Sequence, residues 1–334
     1  MTMLGVPGFV VGAGDLPAWL GLALASFTAG AVNSVAGGGT IIAFPVLAAI
    51  LPAAPTRLVT ANATSTVGLW PGAVAAAWAY RGERTAQPPW ARHLILPSIA
   101  GAAAGSGLVF LLPPHWFDAA GPWLILVAAV LFAAQPRLAT LAFSPGSPWP
   151  KSILGLWPLE TLRFSRELRS RHRIPPVQQA VCPQPAGAGA PPVVAAWLAQ
   201  FLVAVYGGYF GAGIGILMLA LLGSLGMADI HRANGVKNLM GMTVNGTAAL
   251  VFVTISLVSQ TSSLVSQTGL APSAVTGGGW GVSWPHALVM AGCATGGGLV
   301  GSHLARRAPA AVVRRLVAVI GFALAGYYLW QQYG

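Results

Sequence analysis

The chain has 334 residues, of which 55% are hydrophobic and only 7% are Asp, Glu, Lys or Arg. A soluble domain carries roughly 25% charged residues, and disordered chains are poor in apolar side chains. A mean hydropathy of +0.71 therefore excludes both. The 43 Gly, 26 Pro and 12 Trp fit membrane helices, which tolerate Gly and Pro better than soluble ones do. The composition is that of an all-α polytopic membrane protein. A net charge of +11 does not indicate nucleic acid as a partner. The arginines flank apolar runs or cluster between Arg163 and Arg173, with no aromatic–basic alternation suited to single strands.

The N-terminal stretch MTMLGVPGFVVGAGDLP has no basic region before its apolar residues, so no cleaved signal peptide is expected. Apolar runs of about 20 residues are candidate spans, and eight such segments follow: 19–51, 58–80, 94–112, 119–142, 193–226, 239–259, 284–305 and 312–330. At 1.5 Å per residue the first and fifth would each extend about 50 Å, against a hydrocarbon core near 30 Å. Gly37, Gly38 and Gly39 interrupt the first, and Gly207, Gly208, Gly211, Gly213 and Gly215 the fifth. A straight tilted helix is one reading; a hairpin of two half-helices turned at the glycines is the other.

Loop charge discriminates between them. The 143–192 segment holds Lys151 and the Arg163–Arg173 cluster, which places it in the cytoplasm. Counting backward, the 81–92 connection is inside and 113–118 outside. Counting forward with 193–226 as a single crossing puts Arg306, Arg307, Arg314 and Arg315 outside, against the rule. A hairpin reverses that assignment and places the uncharged 260–283 connection outside. Arg57 is then the exception, outside with both termini. The expected organisation is an N-terminal transmembrane repeat over 1–142, a cytoplasmic Pro/Arg-rich loop over 143–192 and a C-terminal repeat over 193–334. The two repeats have opposite orientation and make about ten passes, counting half-helices.

The halves also resemble each other. AGAAAGSGLV at 100–109 matches AGCATGGGLV at 291–300, and AVNSVAGGGTIIAFPVL corresponds to GGYFGAGIGILMLALL. Each broken segment precedes an Asn-bearing helix start, TANATS at 60–65 and VKNLMG at 236–241. Inverted halves with Gly-interrupted segments in matching places point to a secondary transporter. At these residues the chain resembles the sulfite exporter TauE/SafE family of membrane transporters, over nearly all of its length except the central loop. The resemblance implies a small sulfur-containing or organic anion carried across the bacterial cytoplasmic (inner) membrane.

Anion binding within lipid needs positive potential, and the N-terminus of a half-helix supplies it through unpaired N–H groups and the helix dipole. The halves beginning near Thr40 and near Ile214 are the candidates, with Gly37, Gly38, Gly39, Gly211, Gly213 and Gly215 allowing close approach to the backbone. Tight helix packing is the alternative role for these glycines. Polar side chains cluster beside both breaks: Asn33 and Ser34, then Asn62, Thr64, Ser65 and Thr66, and in the second half Asn234, Lys237, Asn238, Thr243 and Asn245. Their amides and hydroxyls donate to oxyanions or, alternatively, join helices. Asn62 and Asn238 correspond in the repeat. Lys237, one of the two lysines, either faces the cavity or snorkels to the interface. Arg57 and His231 are weaker candidates in polar turns.

No HExxH, GxSxG or paired intramembrane carboxylate is present, which argues against a membrane-embedded enzyme; an uncoupled anion channel is a closer alternative to a carrier. No cofactor or metal is expected, and Cys182 and Cys293 lack the spacing of a redox pair or zinc site. The expected partners are the anion, the lipid bilayer, a coupling proton or sodium ion, and a second copy in a homodimer. His93, His115, His286 and His303 fit packing or solvated roles.

Overall fold

The computed structural model describes residues 16–81, 89–143, 193–225, 227, 230–267, 281–304 and 310–333. All but the first residue of the 143–192 loop lies outside these, as do the Arg163–Arg173 cluster, Cys182 and the side chain of His231. Every regular element among the described residues is helical. The first group comprises α1 (Leu16–Val35), α2 (Thr40–Ile50), α3 (Arg57–Ala79), a 3₁₀ turn (Pro89–Leu94), α4 (Ile95–Leu111) and α5 (Pro114–Phe143). The second comprises α6 (Val193–Tyr209), α7 (Ile214–Ser224), α8 (Ile230–Gln267), α9 (Trp284–Leu304) and α10 (Ala310–Tyr333).

Four stretches are long and apolar enough to cross a membrane: Leu16–Val35, Trp90–Leu111, Pro114–Ala134 and Arg232–Ser259. Shorter apolar helices occupy Thr40–Ile50, Val194–Tyr209, Ile214–Ser224 and Val317–Trp330. Leu20, Leu24, Leu111, Leu202, Leu250, Leu288 and Trp330 are exposed on the outside of the bundle, an apolar surface suited to lipid. The expected segments at 58–80 and 284–305 become α3 and α9, which are not among the four candidate spans. Rich in Gly, Ala, Ser and Thr, they pack on each other.

Two boundaries differ from the hydropathy reading. The connection expected at 113–118 is mostly helix, because Pro114 opens α5; proline suits a first helical position, where the missing N–H has no intrahelical partner anyway. α8 begins at Ile230 rather than 239 and runs to Gln267, so Lys237 and Asn238 lie about two turns inside a helix. A hydropathy window stops at such polar residues even where burial gives them partners.

The breaks fall where the glycines predict. α1 ends at Val35 and α2 starts at Thr40; α6 ends at Tyr209 and α7 starts at Ile214. α2 doubles back on α1, since a side chain at Gly39 would strike the carbonyl of Ala29. Likewise the Ile214 side chain lies over Gly207.

The principal helix pairings are preserved when α1–α5 are exchanged in order for α6–α10. α1 packs on α9 as α6 packs on α4; α3 meets α9 as α8 meets α4; α2 touches α10 as α7 touches α5; α3/α8 and α5/α10 map onto themselves. Glycines let these helices approach closely. Cβ atoms at Gly101 and Gly105 would strike the carbonyls of Phe201 and Val205, while those at Gly297 and Gly301 would strike Phe27 and Ala31. Phe27 and Phe201 each lie ten residues before a break glycine, Gly37 and Gly211. Geometry thus matches Gly101 with Gly297, whereas the sequence match of 100–109 with 291–300 pairs it with Gly292. Small residues recurring every few positions fit several registers, and only backbone contact selects one.

Candidate functional site

Both breaks close in the same way. At the end of α1 the amides of Ala36 and Gly37 donate to Val32 O at 2.8 and 3.2 Å; at the end of α6 those of Phe210 and Gly211 donate to Tyr206 O at 3.0 and 3.3 Å. Gly37 and Gly211 then turn the chain at φ of 75° and 79°, and Gly213 follows at 76°. These values are in the left-handed region, which only glycine visits freely. The breaks meet each other. The Gly215 amide donates to Gly37 O at 3.1 Å, and a Cβ on either glycine would strike the Cα of the other.

A helix ending inside a bundle leaves carbonyls without partners, and each break receives them from the opposite half. Asn62 of α3 donates from Nδ2 to Tyr209 O at 3.0 Å, the last carbonyl of α6. Asn238 of α8 donates to Ser34 O at 3.4 Å. Lys237 adds bonds from Nζ to Ser34 O at 3.3 Å and Val35 O at 3.2 Å. A cation is favoured there because the C-terminal end of a helix carries partial negative charge. At 2% exposure Lys237 is buried, so the snorkelling reading does not apply. Asn62 stands at 1% exposure, and its Oδ1 has no hydrogen-bond partner.

Asn33, Gly37, Gly215, Lys237, Asn238 and Asn245 share one small cavity of about 20 Å³, walled by Ile214, Met218 and Met242. That volume holds about one water molecule. The first turn of α7 abuts it through Ile214 and Gly215, adding the positive end of a helix to the Lys237 ammonium and three amides. Thr40 stands at the second break: a Cβ on Gly211 would lie 3.7 Å from Thr40 Oγ1 and 3.8 Å from Asn245 Oδ1.

Other candidates hold the scaffold. Thr64 Oγ1 accepts from the Ser283 amide at 2.9 Å, at the entry to α9. Ser65 Oγ donates to Asn62 O at 3.1 Å within α3. Gly38 lies against the ring of Phe132, and Gly213 beside Ala128. His286 has the packing role expected of it, stacked on Trp19 with ring centroids 4.6 Å apart and bonded to Ser283 Oγ at 2.8 Å.

Aromatic residues near the second break carry no motif that sequence reasoning detects. Phe210, beside Gly211, packs edge-on against Phe44 at 5.5 Å, and Phe117 adjoins both. Tyr206 Oη donates across the break to Ala212 O at 2.7 Å. A half-buried ring with a hydroxyl to satisfy is the one feature that marks it.

Compared with known families, residues 22–328 match the family model described as Sulfite exporter TauE/SafE. The chain belongs to the TauE/SafE family. No curated protein and no solved structure matches it. Membership makes the chain a multi-pass membrane protein of a transporter family rather than of an enzyme family. The family model spans both breaks and the Lys237 cavity.

Proposed function

We propose that this TauE/SafE-family chain moves sulfite, an organosulfonate or a related small anion across the bacterial cytoplasmic membrane by alternating access. The anion binds between the two helix breaks. The observation that carries this reading is the junction of Gly37 and Gly215 beside a buried lysine. Broken helices at a repeat interface are where secondary transporters hold their substrates. Lys237, Asn33, Asn238 and Asn245 form the donor set, with the N-terminus of α7 behind them; Asn62, Thr40 and Gly211 line the route past the second break. Thr64, Ser65, Gly38, Gly39 and Gly213 hold the backbone of this site in place.

The preserved pairing under exchange of α1–α5 for α6–α10 supports two inverted repeats. A one-water cavity is too small for a sulfur oxyanion, so binding one there requires the halves to part. Rocking one repeat against the other moves the Gly37–Gly215 junction without unfolding either half.

Flux of sulfite, sulfoacetate and acetate into proteoliposomes tests the reading. Saturable uptake of one sulfur anion, accelerated by the same anion trapped inside and lost in Asn238→Ala, is the expected result. A flux that neither saturates nor responds to internal anion would make the protein a channel. No flux of any of the three through folded protein would contradict the proposed substrate class.

A further inference from the structure

A second and much larger cavity, about 650 Å³, lies between α2, α3, α5 and α10 and is lined by Phe44, Arg57, Asp118, Ile125 and Tyr328. It shares no residue with the Lys237 cavity. Its volume falls in the range of small-molecule sites, about 300–1,000 Å³.

Two opposite charges, Arg57 and Asp118, line it, with His115 also within electrostatic reach of Asp118. Arg57 opens α3, where its guanidinium adds to the positive end of the helix. Asp118 comes from the first turns of α5. Among the described residues the two form no ion pair, although each is within electrostatic reach of the other. Asp118 Oδ1 is buried and has no hydrogen-bond donor. A carboxylate oxygen withdrawn from water without a donor is costly, and a ligand bearing N–H groups removes that cost.

From the pairing of Arg57 and Asp118 within one cavity, we propose a binding site for a small zwitterion carrying an ammonium and an acid group. The ammonium donates to Asp118, whose buried Oδ1 lacks a donor. The acid group pairs with Arg57, whose planar fork suits carboxylate, sulfonate or phosphate. A simple anion meets the repulsion of Asp118, and a simple amine that of Arg57, so the site rejects both. The same chemistry is offered by a free amino acid and by the ethanolamine headgroup of a phospholipid. Phe44 also packs on Phe210 at 5.5 Å, so occupation of this site bears on the aromatic layer over the second break.

The test is calorimetric titration of the full chain in phosphatidylglycerol nanodiscs with β-alanine, propionate and propylamine. β-Alanine is expected to bind, with both singly charged analogues weaker by about tenfold or more. Arg57→Gln and Asp118→Asn are expected to weaken β-alanine by a similar factor, with Gly107→Ala, which adds a methyl in open space away from both cavities, binding it as wild type does. Propionate binding as tightly as β-alanine would overturn the proposal, as would no binding of β-alanine to folded wild-type protein. Repeating the titration in phosphatidylethanolamine nanodiscs identifies the source: a competing lipid headgroup abolishes the β-alanine signal, and a soluble ligand's site leaves it unchanged.

Discussion

Three glycines separate the demands of conformation from those of space. Gly37 has a left-handed φ and no room for a Cβ, which would strike Gly215; Gly213 has the same φ, but its Cβ would rest 3.6 Å from Ala128. Gly107 is helical with nothing within 4 Å. Gly213→Ala is therefore expected to cost about 1–2 kcal/mol, the price of a left-handed residue. Gly37→Ala costs clearly more because the breaks must also separate, and Gly107→Ala changes stability by no more than about 1 kcal/mol. Thermal melting of the three purified variants checks the order, and equal losses at Gly37 and Gly213 would contradict close contact of the breaks. Asn62→Ala removes the donor to Tyr209 O and is expected to cost about 1–3 kcal/mol through a buried carbonyl left without it.

At the scale of elements, capping of one half by the other makes α3 and α8 the helices that hold the breaks shut. Lys237 caps α1 and lines the cavity at once, so an anion that attracts its ammonium competes with the Ser34 and Val35 carbonyls. Lys237→Gln is expected to abolish sulfite flux, while its amide retains one donor to those carbonyls and the protein still folds; unchanged flux with unchanged melting would leave Lys237 a helix cap only. The glycine breaks were legible because glycine is the residue that permits a reversal, and both half-helices start at the residues expected, Thr40 and Ile214. The cap donors were legible only as polar residues beside the breaks. Asn62 and Asn238 pair with backbone carbonyls of the opposite half, and a carbonyl carries no trace in the sequence. For the same reason the hydropathy span began only at 239, although VKNLMG at 236–241 read as a helix start. The aromatic layer of Phe44, Phe117 and Phe210 was not foreseen, since aromatic residues recur throughout a membrane chain and only proximity distinguishes these.

For the whole molecule, the positive-inside rule applied to the sequence proposes that the arginines after α9 face the cytoplasm. In intact cells, Arg306→Cys is expected to resist a membrane-impermeant thiol reagent and to label after permeabilisation. Strong labelling before permeabilisation would contradict opposite orientation of the halves. All-helical architecture and membrane residence followed from composition, because a chain with 7% charged residues has few other stable arrangements. The register in which the contacts of the two halves correspond did not, because the small-residue pattern that packs α4 on α6 tolerates several.

The proposed anion site lies at the junction of the two breaks, beside Lys237. The direct measurement is equilibrium binding of radiolabelled sulfite to purified protein, compared among wild type, Lys237→Gln and Arg57→Gln, each shown to be folded. Saturable binding lost in Lys237→Gln and kept in Arg57→Gln is the predicted result. Binding that survives in Lys237→Gln but disappears in Arg57→Gln would contradict the account and move the anion to the Arg57–Asp118 cavity.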